Sequence, residues 1–234
     1  MLGTVVNTIA IIVGAALGKW AGGALKDEMQ KVVMQAIGLG VILVGLTMAV
    51  TTNNIIIVLV SLVLGGIVGE LLALEYQLER LGQTLEKLVT SGRGETAFVK
   101  GFVSASLLYC VGAMAIMGSL ESGLTGQHTT LFAKSLLDGV TAVFLASSLG
   151  WGVAFSALSV FAYQGSITML AGWLGAFLTE PVVTEMTSTG GLLIFAIGLD
   201  LLGIKKFKIG NLLPAVFVAM ALMLCLPMVK GFLY

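Results

Sequence analysis

The stretch that decides the fold is residues 128–165, HTTLFAKSLLDGVTAVFLASSLGWGVAFSALSVFAYQG. It is apolar enough to lie in a lipid bilayer, yet it contains Lys134, Asp138 and Gln164. A charged or amide side chain in hydrocarbon is strongly unfavourable unless it finds a partner. Polar residues in so apolar a stretch are therefore the first candidates for a functional role.

The composition of the whole chain indicates a membrane protein. Of 234 residues, 58% are hydrophobic and only 10% are charged, and the mean hydropathy is +1.06. This is too little charge to cover the surface of a soluble domain. Several continuous apolar runs approach the roughly 18–20 residues that a helix needs to cross a bilayer. We therefore predict an all-α polytopic membrane protein with the lipid bilayer as its main partner.

Charge and cysteine content exclude other partners. The formal net charge is zero, and the charges lie in short clusters between apolar runs, so no nucleic acid partner is predicted. Cys110 and Cys225 lie inside apolar runs without a CxxC pattern, which gives neither a metal site nor a disulfide framework. We expect no cofactor.

The distribution of lysine and arginine favours about eight membrane passages. If eight apolar segments all cross, ten of the twelve cations fall on one side, and the positive-inside rule makes that side cytoplasmic. Both termini are then outside. In the alternative topology, residues 131–149 re-enter the membrane without crossing it, which inverts the later links and strains the rule.

We predict a single membrane domain, 1–234, in four parts. These are a three-helix block (1–74), a cytoplasmic amphipathic segment (75–96), central helices (97–149) and a second three-helix block (150–234). GLGVILVGL at 38–46 resembles GLLIFAIGL at 191–199. With eight passages the two blocks become an inverted repeat, an arrangement that places a transporter's site near the midplane.

Two local patterns leave alternatives open. The sixth apolar segment, 151–178, is too long for one straight crossing, and Tyr163-Gln164-Gly165-Ser166 near its middle predicts a break or a kink. A leucine stripe at 71–88 repeats at spacings of three and four. It predicts an amphipathic helix that lies on the membrane surface or pairs with a second copy in a homodimer.

Asp138 is the main candidate site residue, with Lys134 one helical turn before it on the same face. In the functional interpretation the carboxylate binds a cation or a proton and Lys134 is its resting counter-charge. In the alternative, the two form a structural ion pair near the interface, with Lys134 extended toward the headgroups.

Four neutral polar residues complete the predicted solute- or ion-binding set. Gln164 lies at the predicted break, where freed backbone groups could bind an ion, and Asn7 occupies a comparable position in the first block. For both, the alternative is a hydrogen bond between helices. Tyr109 and Ser156 supply hydroxyl groups, although serines in membrane helices usually serve packing.

The leading functional hypothesis is a secondary transporter or channel for a small solute or ion, coupled to protons or sodium. No GxxxxGK[ST] motif is present to bind ATP. We predict no enzymatic activity, because Ser156 lacks a glycine context and Asp138 and Asp200 lie near opposite ends of their helices. The alternative is a structural or regulatory membrane protein.

Five motifs add a family resemblance: LGTVVN at 2–7, KSLLDG at 134–139, YQGS at 163–166, GLDLLGI at 198–204 and NLLP at 211–214. Together they resemble the bacterial membrane proteins catalogued as domain of unknown function 554, also called YdfK-like or YqgA-like, over nearly the whole chain. The resemblance implies a protein of the prokaryotic cytoplasmic (inner) membrane, often described as a candidate transporter, without a known substrate.

Overall fold

The computed structural model describes residues 1–22, 27–89 and 96–232. Every regular element in these ranges is an α-helix, which confirms the predicted all-α class. Ser91-Gly92-Arg93-Gly94, which the sequence predicts to end the leucine stripe, lies outside the described residues. In chain order the helices are α1 (Leu2–Gly22), α2 (Asp27–Ala49), α3 (Ile55–Leu71), α4 (Leu74–Val89), α5 (Thr96–Cys110), α6 (Ala113–Leu124), α7 (Thr129–Leu149), α8 (Gly152–Met169), α9 (Ala171–Leu174), α10 (Glu180–Leu201), α11 (Ile209–Leu212) and α12 (Pro214–Phe232).

All eight predicted apolar segments are helical. Four helices are each long and apolar enough to cross a membrane: α1, α2 over Lys31–Ala49, α7 and α10. In the described ranges the number rises to six if two bent pairs, α3 with α4 and α5 with α6, each form one span. The chain is therefore a helical membrane protein, and the full set of eight passages stays a prediction.

Glycines form the closest contacts between the helices, and we call these contact lines seams. A Cβ at any of these glycines would overlap the backbone of the partner helix, so the two helices can approach this closely only because the side chain is missing. They are Gly14, Gly18 and Gly22 in α1 against α7; Gly45 in α2 with Gly191 and Gly198 in α10; Gly65 and Gly69 in α3 against α11 and α12; and Gly152 in α8 against α5. Most of these glycines are four or seven residues apart in the sequence, which places them on one face of their helix, and these faces form the contacts.

The order of contacts along each seam gives the relative directions of the helices. Gly14 lies on Gly139 and Gly22 lies on Ser147, so α1 and α7 are parallel. Helices α5 and α8 are also parallel, with contacts Phe98–Gly152 and Ser106–Ser159. Three other pairs are antiparallel: α2 with α10 (Gly38–Gly198 and Gly45–Gly191), α3 with α12 (Gly65–Ala215 and Gly69–Asn211) and α1 with α8 (Lys19–Gly150 and Asn7–Gln164). Eight alternating crossings require these same directions.

The predicted helix break at 163–166 is wrong. Helix α8 continues through these residues to Met169, because the buried Gln164 amide bonds to another helix and the backbone hydrogen bonds need not open. The sixth segment is interrupted later, at Leu170 between α8 and α9, and a sharp bend lies in the fourth apolar segment, where α5 and α6 meet at 60°. Gly112 at this corner has φ +154°, a conformation that residues with a side chain rarely adopt.

The leucine stripe at 71–88 has a partner that the sequence did not indicate. Helix α4 packs against α5 and α11 of the same chain, with Leu78 on α11. Asn211 fixes the α3–α4 corner: its side-chain oxygen accepts the Glu75 N–H at 2.7 Å, and its amide donates to Glu70 at 2.6 Å. Part of the stripe therefore packs against the chain itself, a possibility that neither the membrane-surface nor the homodimer alternative included.

Candidate functional site

The centre of the candidate site is an ion pair within α7. Lys134 Nζ donates to both carboxylate oxygens of Asp138, at 2.8 and 2.6 Å. Both residues are 6% exposed. The spacing of four residues places the two side chains on one helix face, as the sequence predicted. The alternative of Lys134 extended toward the headgroups is not what the structure shows, because its ammonium group turns inward onto Asp138.

One amide from another helix contacts Asp138 directly, and a second amide is joined to the first. Asn7 of α1 donates from Nδ2 to Asp138 Oδ2 at 2.9 Å and to Gln164 Oε1 of α8 at 3.4 Å. Both amide residues are 0% exposed. The carboxylate on α7 is therefore linked to α1 directly and to α8 through the Asn7 amide.

Tyr109 contributes from a fourth helix. Its ring centroid lies 5.9 Å from Lys134 Nζ, which is within cation–π range, and the residue is 1% exposed. It lies on α5 one turn before the Gly112 corner, so the broken segment borders the ion pair. We refer to Asn7, Tyr109, Lys134, Asp138 and Gln164 as the Asp138 cluster.

The cluster contains polar atoms that have no partner in the described part of the chain. These are Asn7 Oδ1, Gln164 Nε2 and the Tyr109 hydroxyl. Thr4, one turn before Asn7, and Thr168, one turn after Gln164, add two buried hydroxyls in the same condition. A buried polar atom without a hydrogen bond costs about 1–3 kcal/mol. Together these atoms offer hydrogen bonds to a ligand or to water.

Family comparison supports the same assignment as the motifs. A family model described as "Protein of unknown function (DUF554)" matches residues 2–224. The chain belongs to this family. It is 36% identical over 223 residues to "Uncharacterized membrane protein YdfK" of Bacillus subtilis (strain 168), covering 93% of each chain. It is 28% identical over 225 residues to "Uncharacterized protein YqgA" of Escherichia coli (strain K12), covering 95% of this chain and 96% of the relative. No solved structure matches the chain.

The sixth predicted site residue of this DUF554 protein lies outside the cluster. Ser156 is fully buried on α8, and its hydroxyl donates to the Val153 carbonyl of its own helix at 2.6 Å. No hydrogen bond joins it to the Asp138 cluster in the described residues. It therefore behaves as the packing serine that the alternative interpretation described.

Sequence reasoning missed a second buried carboxylate, Glu185 on α10, which is 1% exposed. It accepts hydrogen bonds from the Thr52 hydroxyl at 2.6 Å and from the backbone N–H groups of Asn53 and Asn54 at 2.8 and 3.2 Å. These donors lie at the start of α3, where the helix dipole favours a negative charge. The polar turn TTNN at 51–54 is the sequence signal that could have indicated a partner.

We expect Glu185→Gln to lower the free energy of unfolding by about 1.5–3 kcal/mol, the usual contribution of hydrogen bonds to a charged group. The amide keeps the shape, but it loses the charge and turns an NH₂ donor toward groups that are themselves donors. Denaturant titration in mixed micelles measures the change. Glu180→Gln, on the exposed first turn of the same helix, is the matched control. Equal effects of the two substitutions would contradict the assigned role.

Metal binding has no evident site here. Within the described ranges, no group of three or more His, Cys, Asp or Glu residues could hold a metal ion. The Asp138 cluster supplies one carboxylate, one ammonium group, two amides and a phenol. These groups can form ion pairs and hydrogen bonds with a ligand in place of those that they form with each other.

Proposed function

We propose that this chain is a secondary transporter or channel for a small solute or ion, with the Asp138 cluster as its binding site. The observation that carries the proposal is a buried ion pair bonded to the Asn7 amide, which in turn bonds Gln164, with unpartnered polar atoms in the same cluster. In membrane helices, ionisable residues that face the bundle interior commonly mark substrate or ion pathways. The proposal assigns no catalytic activity to the chain.

The broken helix supports this proposal from a different position than the sequence suggested. Discontinuous helices border the binding sites of many transporters, since they leave backbone groups without helical partners. Here the discontinuity is the 60° corner between α5 and α6, one turn from Tyr109. Asn7 lies five residues from the start of α1, about 8 Å along the axis. Asp138 is the tenth of the 21 residues of α7, so the proposed site reaches the middle of that helix, in keeping with a site near the bilayer midplane.

The packing also supports an inverted repeat of the two three-helix blocks. The helices that would correspond, α1 with α8, α2 with α10 and α3 with α12, pack on each other as antiparallel pairs. A two-fold axis in the membrane plane relates helices in this way. Lys19, Lys100 and Lys208 lie at the same end of the bundle, so we propose that this end is cytoplasmic, in the prokaryotic inner membrane, with both termini outside.

Coupling to protons or sodium would use Asp138. Protonation of the carboxylate, or its binding of Na⁺, removes the reason for Lys134 to stay on it and frees the Asn7 amide. Both consequences change the contacts between α1 and α7. A bound cation would thereby alter the packing of the two helices that hold the site.

Flux through proteoliposomes tests the proposal. We expect the purified chain to produce solute or ion flux under a proton or sodium gradient, and Gln164→Leu to reduce it at least tenfold, because the leucine removes an amide that a site built on hydrogen bonds needs. Ser166→Ala, an exposed position on the same helix, is the matched control and should keep full flux. Absence of flux for ions and solutes under every gradient would refute transport.

A second candidate is a structural or regulatory membrane protein, which includes the homodimer. The specific observation in its favour is that Lys134 and Asp138 already satisfy each other within one chain. Under this function Gln164→Leu changes stability alone. Crosslinking through a cysteine at the exposed Leu81 would report a homodimer that pairs through α4.

A further inference from the structure

The charges buried in the bundle restrict what the Asp138 cluster can bind. Among the described residues, the buried charged side chains are Lys134, Asp138 and Glu185. Glu185 is bound to the turn between α2 and α3. The candidate site therefore contains one positive and one negative group, and its formal charge is zero.

Ligand binding at this site has to replace the contact between Lys134 and Asp138. A cation that takes Asp138 leaves the lysine ammonium buried without an anion. An anion that takes Lys134 leaves the carboxylate buried without a cation. An uncompensated charge in a low-dielectric interior is far less favourable than a paired one. A ligand with a single charge, including a coupling proton or Na⁺ at Asp138, is therefore bound less favourably than a ligand that supplies both charges.

A zwitterion avoids this opposition, since it carries one partner for each group. Its ammonium group would take Asp138 while its carboxylate takes Lys134, and the charge of the site stays zero. The unpartnered atoms have matching chemistry: Asn7 Oδ1 accepts hydrogen bonds as an ammonium group requires, and Gln164 Nε2 donates them as a carboxylate requires. The Thr4 and Thr168 hydroxyls can do either.

We infer that the ligand of the Asp138 cluster is a small zwitterion of the amino-acid type, which exchanges its two charges for the Lys134–Asp138 contact. The inference rests on the proposed transport function and narrows its substrate class. It predicts that the preferred ligand carries charges opposite to those present in the site, in the unmodified protein and in its variants, and we call this the charge rule.

Counterflow in proteoliposomes tests the rule without knowledge of the coupling ion. Vesicles that contain the full chain are loaded with one unlabelled compound, and uptake of the labelled form is measured. The zwitterions are glycine, L-alanine, L-leucine, β-alanine and 4-aminobutyrate. Ethylamine and propionate are alanine without its carboxylate and without its ammonium group. We expect at least one zwitterion to exchange about tenfold faster than either singly charged analogue.

Variants that change the charge of the site should change its preference. In Lys134→Gln the carboxylate remains alone, so we expect exchange to shift toward ethylamine. In Asp138→Asn the ammonium group remains alone, so we expect a shift toward propionate. The charge-swapped variant, Lys134→Asp with Asp138→Lys, retains an ion pair and is expected to stay folded and to prefer zwitterions. Thermal unfolding of each variant separates loss of folding from loss of preference.

The outcomes distinguish this inference from the function on which it rests. Ethylamine or propionate exchanged as fast as the zwitterions by the unmodified protein would overturn the zwitterion inference and leave transport standing. Proton or sodium flux without exchange of any zwitterion in the panel would overturn it as well. Absence of every solute and ion flux would refute transport itself. A zwitterion preference that stays unchanged in folded Lys134→Gln would contradict the charge rule.

Discussion

Asp138→Asn is expected to lower the free energy of unfolding by about 3–5 kcal/mol and to abolish exchange of the native ligand. The substitution keeps the size of the side chain but leaves the Lys134 ammonium group buried without its anion, and breaking one side of a buried ion pair typically costs this much. Asn7 also loses a charged acceptor at 2.9 Å. Denaturant titration of the purified protein in mixed micelles measures the free energy of unfolding, and counterflow measures the rate of ligand exchange.

Two controls separate charge burial from general damage. The double variant Lys134→Gln with Asp138→Asn removes both charges, so we expect most of the stability to return while exchange of charged ligands does not. Asp200→Asn makes the same chemical change at the partly exposed pair with Lys100, whose atoms are 3.0 Å apart. We expect it to cost at most about 1 kcal/mol. A double variant as unstable as the single one would contradict the ion-pair explanation.

Gly14→Leu is expected to destabilise the bundle by roughly 3 kcal/mol or more, at the upper end of overpacking costs. Even the first carbon of the new side chain would overlap the backbone carbonyl oxygen of Gly139. Backbone atoms cannot move aside by a rotamer change, so α1 and α7 have to separate. Since Asn7 on α1 donates to Asp138 on α7, separation also opens the site. The midpoint of thermal unfolding and the exchange rate should fall together.

Gly40→Leu is the matched control for that substitution. Gly40 also lies inside a long apolar helix, α2, but nothing lies within 4 Å of the position that a Cβ would take. An added leucine there faces outward and should leave stability and exchange nearly unchanged. If Gly14→Leu and Gly40→Leu behaved alike, the close α1–α7 seam would not be what holds the site together.

Much of the fold could be read from local signals. Continuous apolar runs predicted the helices because a bilayer requires both length and internal hydrogen bonding. Glycines four or seven residues apart share a helix face, a pattern typical of close helix contacts, and the spacing of Lys134 and Asp138 predicted their ion pair. Each of these depends on residues within one helix, where sequence separation fixes geometry.

The errors arose where a residue's behaviour depends on a distant partner. Gln164 beside Gly165 looked like a helix break, but its side-chain oxygen accepts a hydrogen bond from Asn7 and the helix continues. The actual break at Gly112 gave no clear polar signal. Glu185 was missed because its three donors lie more than 130 positions earlier in the chain.

The sequence by itself determined a helical membrane protein, which helix faces are small enough to be seams, and that a charged pair lies inside α7. Only the tertiary structure decided which helices pack on each other, since a row of glycines allows close packing against any helix. It also decided that the α1–α7 contact brings Asn7 to Asp138 and that α8 adds Gln164. The physical reason is that hydrophobicity and helix periodicity depend on residues close together in the chain, whereas the partner of a buried polar group depends on packing between helices that are distant in sequence.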